Sequence, residues 1–166
     1  MPSTFPPDFE QFNRPHCVVP ATEDFLYRLY EMLFSEPGLS LRTRQRTFET
    51  AADCPDSWRV VCVSHDALVQ IVQTASAKGL RRAHPTSRSE RAGHLFERDR
   101  PLNRSELLPY FFKHDTVALV TAAENTQEGV AHWSKLYKVP PGIFTSGSFS
   151  IHARRIDLEW AKTILR

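Results

Sequence analysis

Apolar positions along the chain follow two rhythms, one helical and one alternating. Leu26, Leu29, Tyr30 and Leu33, with Phe25 and Phe34, recur at spacings of three and four and paint one face of a helix. Thr22 is its expected cap, and Glu36, Pro37 and Gly38 end it. Leu39 to Phe48 sets Leu39, Leu41, Thr43, Gln45 and Thr47 against Ser40, Arg42, Arg44 and Arg46. That alternation fits an edge strand with a basic face, but propensity also tolerates a helix, so the type of this element stays open. Trp58 to Val63 is β-forming. Ser64 is placed to cap a following helix in which Leu68, Ile71, Val72 and Ala75 share a side, Asp66 lies in the first turn and Gly79 marks the end.

Further along, Ala92, Leu95 and Phe96 give Ser87 to Arg98 a helical pattern. Asn103 with Glu106 forms a capping box for another helix, whose inward residues are Leu107, Leu108, Phe111 and Phe112 and whose length is limited by Pro109. Thr116 to Val120 predicts a strand, and Thr121 with Glu124 caps a helix from Ala122 that carries Asn125 in its first turn. If that helix continues past Gly129, Trp133 and Tyr137 share a face as a stacking surface, although packing is the more ordinary use of such a pair. Ser148 to Arg154 predicts a strand, and Leu158, Trp160 and Ile164 a terminal helix. The whole predicts one α+β domain over residues 21–166 behind a proline-rich arm over residues 1–20.

Composition agrees with a globular chain: 166 residues, 41% hydrophobic and 24% charged. The formal charge of +2 does not by itself announce a nucleic-acid partner, but the basic residues are grouped. Arg42, Arg44 and Arg46 form one group, Lys78, Arg81, Arg82, Arg88 and Arg91 a second, and Arg154 and Arg155 a third. Cys17, Cys54 and Cys62 contain no C-x-x-C pair, so neither a disulfide framework nor a cysteine-rich zinc site is expected, and Cys62 among valines is expected to be buried. No apolar stretch reaches the roughly 18 residues of a membrane span, and the start lacks the pattern of a signal peptide. The expected location is the cytoplasm, with no membrane partner.

Candidate chemistry gathers at structural joints. His84 follows a basic turn, His114 and Asp115 precede the strand at Thr116, and Asn125 opens the helix after it. The segments Ala83, His84 and Pro85, then His114, Asp115, Thr116, Val117, Ala118, Leu119, Val120 and Thr121, then Glu124 and Asn125, resemble the ββα-metal fold of the HNH endonucleases over residues 82–129. The resemblance implies metal-dependent hydrolysis of nucleic-acid phosphodiester bonds, DNA before RNA. It implies His84 as the general base, Asp115 (less readily His114) in the middle position, and Asn125 with Asp115 as ligands of a divalent metal such as Mg or Zn. The chain departs from the family where Ala83 stands in place of an aspartate ligand, the middle residue is not Asn and the hairpin glycines are absent. Two helices also replace a short loop.

Arg81, Arg82 and Arg88 flank His84 and are the expected phosphate contacts, joined by Arg91 and, more remotely, Lys135 and Arg154. Such contacts position a nucleic acid without reading its bases. His94 and His132 fall on predicted helices as structural or exposed residues. Two other functions fit the same residues. One is a non-catalytic regulatory protein that binds nucleic acid or another protein, such as a degenerate relative of a nuclease; the other is an enzyme acting on a small molecule through a His and Asp or Asn pair.

Overall fold

A computed structural model describes residues 11–12, 19–52, 60–126, 133–144 and 153–166. Its elements, in chain order, are α1 (Pro20–Ser35), α2 (Leu41–Ala52), β1 (Val60–Ser64), α3 (His65–Thr74), β2 (Arg81–Ala83) and α4 (Arg88–Phe96). After them come α5 (Arg104–His114), β3 (Val117–Val120), α6 (Ala122–Thr126), β4 (Leu136–Lys138) and α7 (Arg155–Ile164). The described chain is a single α+β domain.

The four strands form one mixed sheet in the order β2-β3-β1-β4. β1 and β3 run parallel, while β2 pairs antiparallel with β3 and β4 antiparallel with β1. Every residue of β1 and β3 is buried, as expected of central strands that carry helices and chain on both faces. On β3, Val117 and Leu119 pack with Leu68 and Ile71 of α3 and Ala161 of α7, whereas Ala118 and Val120 join Phe12, Cys62 and Ala83 on the other face. The parallel register slips between Val60 and Cys62. That bulge lets the sequence neighbours Val61 and Cys62 serve one face, which a regular strand forbids. Cys62 is fully buried, and burial drives its thiol pKa up, so it is an inert apolar filler.

A second apolar cluster lies among α1, α2, α4 and α5, with Leu26, Tyr30, Phe48, Leu95, Leu107 and Phe111 at its centre. Tyr30 fastens it: its hydroxyl donates to the Leu95 carbonyl at 2.8 Å and accepts from the Leu102 amide at 2.9 Å.

The segment of open type, Leu39 to Phe48, is helical from Leu41 onward. Its Gln45, Phe48, Glu49 and Ala52 are the buried positions of α2 at spacings of three and four, and tertiary burial decides what alternation left open. The caps at Ser64, Asn103 and Thr121 form as expected, and Ser87 adds a capping box with Glu90. Pro20 at the first turn starts α1, so Thr22 lies inside the helix. Pro109 is accommodated, and α5 runs on to His114. Leu136–Lys138 is a strand, so Trp133 and Tyr137 do not share a helix face. Residues 148–152 of the strand expected at Ser148–Arg154, most of the N-terminal arm, and His132 lie outside the described residues, and Arg154 is the N-cap of α7 rather than part of a strand.

Candidate functional site

Two chain junctions meet at one end of the β2–β3 pair. The register matches Ala83 with Ala118, so the next residue, His84, draws level with Val117 at the start of β3. Pro85 stops the strand there, Thr86 is buried, and Ser87 opens α4 through a reciprocal capping box with Glu90. On the neighbouring strand, α5 ends at His114 and Asp115 forms its C-cap before β3 begins. The antiparallel pairing therefore brings His84, His114 and Asp115 together. The His114 backbone is close enough to act on the His84 imidazole, and Thr86 Oγ1 lies 2.9 Å from His114 Nδ1.

Both ring nitrogens of His84 are shielded from solvent. Burial pushes its pKa well below 6.5, and the charges of Arg91, Arg88 and Arg82 push it further down against the upward pull of the His114 backbone. The imidazole is therefore neutral at about pH 7. His114 is pushed down to about 4, by burial first and then by Lys113 and Arg91. In this state the His84 ring is neutral, with both nitrogens turned away from water.

Arg91 is only 4% exposed and is turned inward, donating to Glu49 Oε1 at 2.8 Å, with Asp115 close enough for its charge to act on the guanidinium. It is a structural pillar and does not reach solvent as a phosphate contact would. Arg88 stands differently: its Nε is 3.6 Å from Glu49 Oε2, yet 59% of its side chain remains exposed. Arg82 is half-buried, and Arg81 is exposed and donates to the carbonyls of Gly79 and Leu80. Gln45 joins α2 to this end by donating to the Arg88 carbonyl at 2.8 Å. Arg42 lies one helical turn before Gln45 and, like Arg46, is exposed, so α2 extends the basic face outward.

Asn125 is exposed on α6, which follows β3 beyond Val120, the partner of Arg81, and packs against β2. Lys135 precedes β4 on the opposite edge of the sheet; its carbonyl accepts from His65 and its ammonium lies 4.9 Å from the Tyr137 ring centroid. Arg154 caps α7 and clasps the buried Asp157 through Nε at 3.0 Å, while also holding the Gly142 carbonyl. Neither joins the His84 end.

The charge at that end works against a divalent cation, since Arg82, Arg88 and Arg91 all bear on His84. Among the described residues, no group of three or more His, Cys, Asp and Glu side chains is arranged to hold an ion. The same excess of guanidinium groups suits an anion. Among the described residues no helix is long and apolar enough to cross a membrane.

Several residues here had a weaker signal in the sequence. Glu49, the partner of Arg91, was embedded in a segment of open type. Tyr110 and His114 are one helical turn apart, which places two rings on the same side of α5, but their partner His94 comes from another helix. Comparison with known proteins finds no match for this chain, whether a family model, a curated protein or a solved structure.

Proposed function

We propose that the protein binds the phosphate backbone of a nucleic acid on the basic face formed by α2, β2 and the start of α4, without catalysis. One observation carries this reading: Arg82 and Arg88 act electrostatically on the same imidazole while retaining solvent access, over a buried Arg91 whose charge is offset by Glu49. Arg42 and Arg46 of α2 widen the face. Guanidinium groups match phosphate oxygens through paired donors, and counterion release makes such binding favourable even in a chain of net charge +2. His84 contributes by holding the β2–α4 junction to α5, not by exchanging a proton.

The test is a titration of labelled DNA at several salt concentrations against the native chain and the Arg82→Ala/Arg88→Ala variant. The variant is expected to bind at least tenfold more weakly, and its log–log salt slope to fall by about 1 for each phosphate contact removed. Binding that does not change with salt or with these substitutions rejects the proposal.

A second reading is the metal-dependent hydrolysis implied by the likeness to HNH endonucleases. It is supported by the antiparallel β2–β3 pair, which brings His84 and Asp115 to one end. It expects cleavage of DNA in the presence of Mg or Zn, abolished by His84→Ala in a variant that remains folded. Cleavage unaffected by that substitution removes His84 from the mechanism.

A further inference from the structure

Three rings stand in a row between α4 and α5. His94 of α4 lies on Tyr110 of α5 with centroids 3.8 Å apart and planes inclined by 19°, and Tyr110 lies against His114 at 4.3 Å and 31°. The row runs from interior to surface. His114 is 7% exposed and held by Thr86, whereas Tyr110 and His94 are half-buried. A partly exposed ring supported by a stacked neighbour has already lost its rotamer freedom, so little further ordering is needed when another flat group packs against it.

Charge follows the row. Arg98 acts on His94 and Lys113 on His114, while the Arg91 that acts on Tyr110 is buried and paired with Glu49; Glu90 is the acid that acts on both Tyr110 and His114. Aromatic rings interleaved with cations are what a strand with unstacked bases requires, because each base offers a π-face and each linkage a phosphate. In a duplex the base faces are already occupied by their neighbours, and such a platform gains nothing from them.

Resting on the phosphate-binding reading above, we propose that the outer end of this ladder, His94 with Tyr110, stacks an unpaired base, so that the nucleic acid bound is single-stranded. The phosphates on either side of that base are then drawn to Arg88 of α4 and Arg82 of β2. Stacking of this kind tolerates any base and predicts little sequence preference.

The experiment compares a short labelled single strand with its own duplex, and the native chain with His94→Ala and His94→Phe, each checked for folding by circular dichroism. The single strand is expected to bind more tightly than the duplex. His94→Ala is expected to weaken single-strand binding by about tenfold, within the range found for loss of one base stack, and His94→Phe to retain it, since a ring is restored without the imidazole. A strand carrying 2-aminopurine adds a readout on the unaltered protein: its fluorescence is expected to be quenched on binding. Equal or tighter binding of the duplex, absence of quenching, or an unchanged affinity in folded His94→Ala overturns the single-strand inference. If Arg82→Ala/Arg88→Ala still abolishes binding in that event, the phosphate-binding reading survives alone. Failure of both single strand and duplex to bind at low salt removes both.

Discussion

Glu49 shows how a single carboxylate can organise a polar interior. It is 8% exposed, and its Oε1 accepts from Arg91 at 2.8 Å and from Gln45 at 3.1 Å, while Oε2 faces Arg88. Two buried charges are expensive to desolvate, and the cost is tolerable here because each is paired and hydrogen-bonded. Removing one partner strands the other. Glu49→Ala and Arg91→Ala are therefore each expected to lower unfolding free energy by about 3–5 kcal/mol. The double replacement Glu49→Leu/Arg91→Met is expected to cost clearly less than the sum, because it leaves neither charge unpaired. Urea midpoints of the native chain, the two single variants and the double variant check this, and additive losses would mean that the two groups are not coupled.

At the scale of elements, the opposite end of the sheet is tied together by Glu124. Its Oε2 accepts from Ser64 Oγ at 2.8 Å and from the Thr121 amide at 2.8 Å, and its Oε1 accepts from the Ser134 amide at 2.8 Å and hydroxyl at 2.7 Å. Ser64 in turn accepts from Ala67 at the start of α3, and Ser134 accepts from Asp66. One carboxylate thus holds the beginnings of α3 and α6 and the approach to β4. Burial works to raise its pKa, but the bonds from Thr121 and Ser134 outweigh it and keep Glu124 below the usual range. Glu124→Gln turns an amide toward these donors and is expected to cost about 2–3 kcal/mol, against about 1 kcal/mol for Ser64→Ala, measured by chemical denaturation. A Gln variant as stable as the native chain would deny the clamp. The two caps of Glu124 and Ser64 were legible in sequence because capping boxes are local: Thr121 and Glu124 are three residues apart, as are Ser64 and Ala67. Ser134 was not, since it is joined to them only through the fold. The same division explains the candidate site. His84 and Asp115 were expected to meet because the antiparallel strand pairing could be inferred, but the placement of Asn125 depends on the direction in which α6 leaves β3, and that of Arg91 on the packing of α2 against α4. Neither is written in local periodicity.

At the scale of the whole molecule, the basic face rests on histidines that resist protonation, and this couples stability to pH. His84 and His114 both have pKa values lowered in the fold, by burial first and then by Arg91 and its neighbours; His94 is lowered by burial and by Arg98. In the unfolded chain each titrates near 6.5, whereas folded His114 does so at about 4 and His84 well below its ordinary value. Above about pH 7 both states hold these rings neutral and the histidines add no pH dependence. As the pH falls below about 6.5, the unfolded chain takes up protons that the folded chain refuses, so stability drops by up to about 1.4 kcal/mol per pH unit for each such ring. From His114 alone the native protein is therefore expected to be about 2 kcal/mol less stable at about pH 5 than at about pH 7.5, and His84 adds a loss of the same sign. Glu124 adds a loss of the same sign at lower pH, because a lowered carboxylate contributes stability that disappears as the pH falls from 4.5 through its folded pKa. His114→Gln supplies an amide that can meet Thr86 and does not titrate, so the variant is expected to show a shallower decline between about pH 6.5 and pH 4. Melting temperatures measured across that interval decide the matter. A native chain whose stability is flat there, or a variant with an undiminished slope, would place the protons elsewhere and leave the basic end of the hairpin without the neutral core that the arginines require.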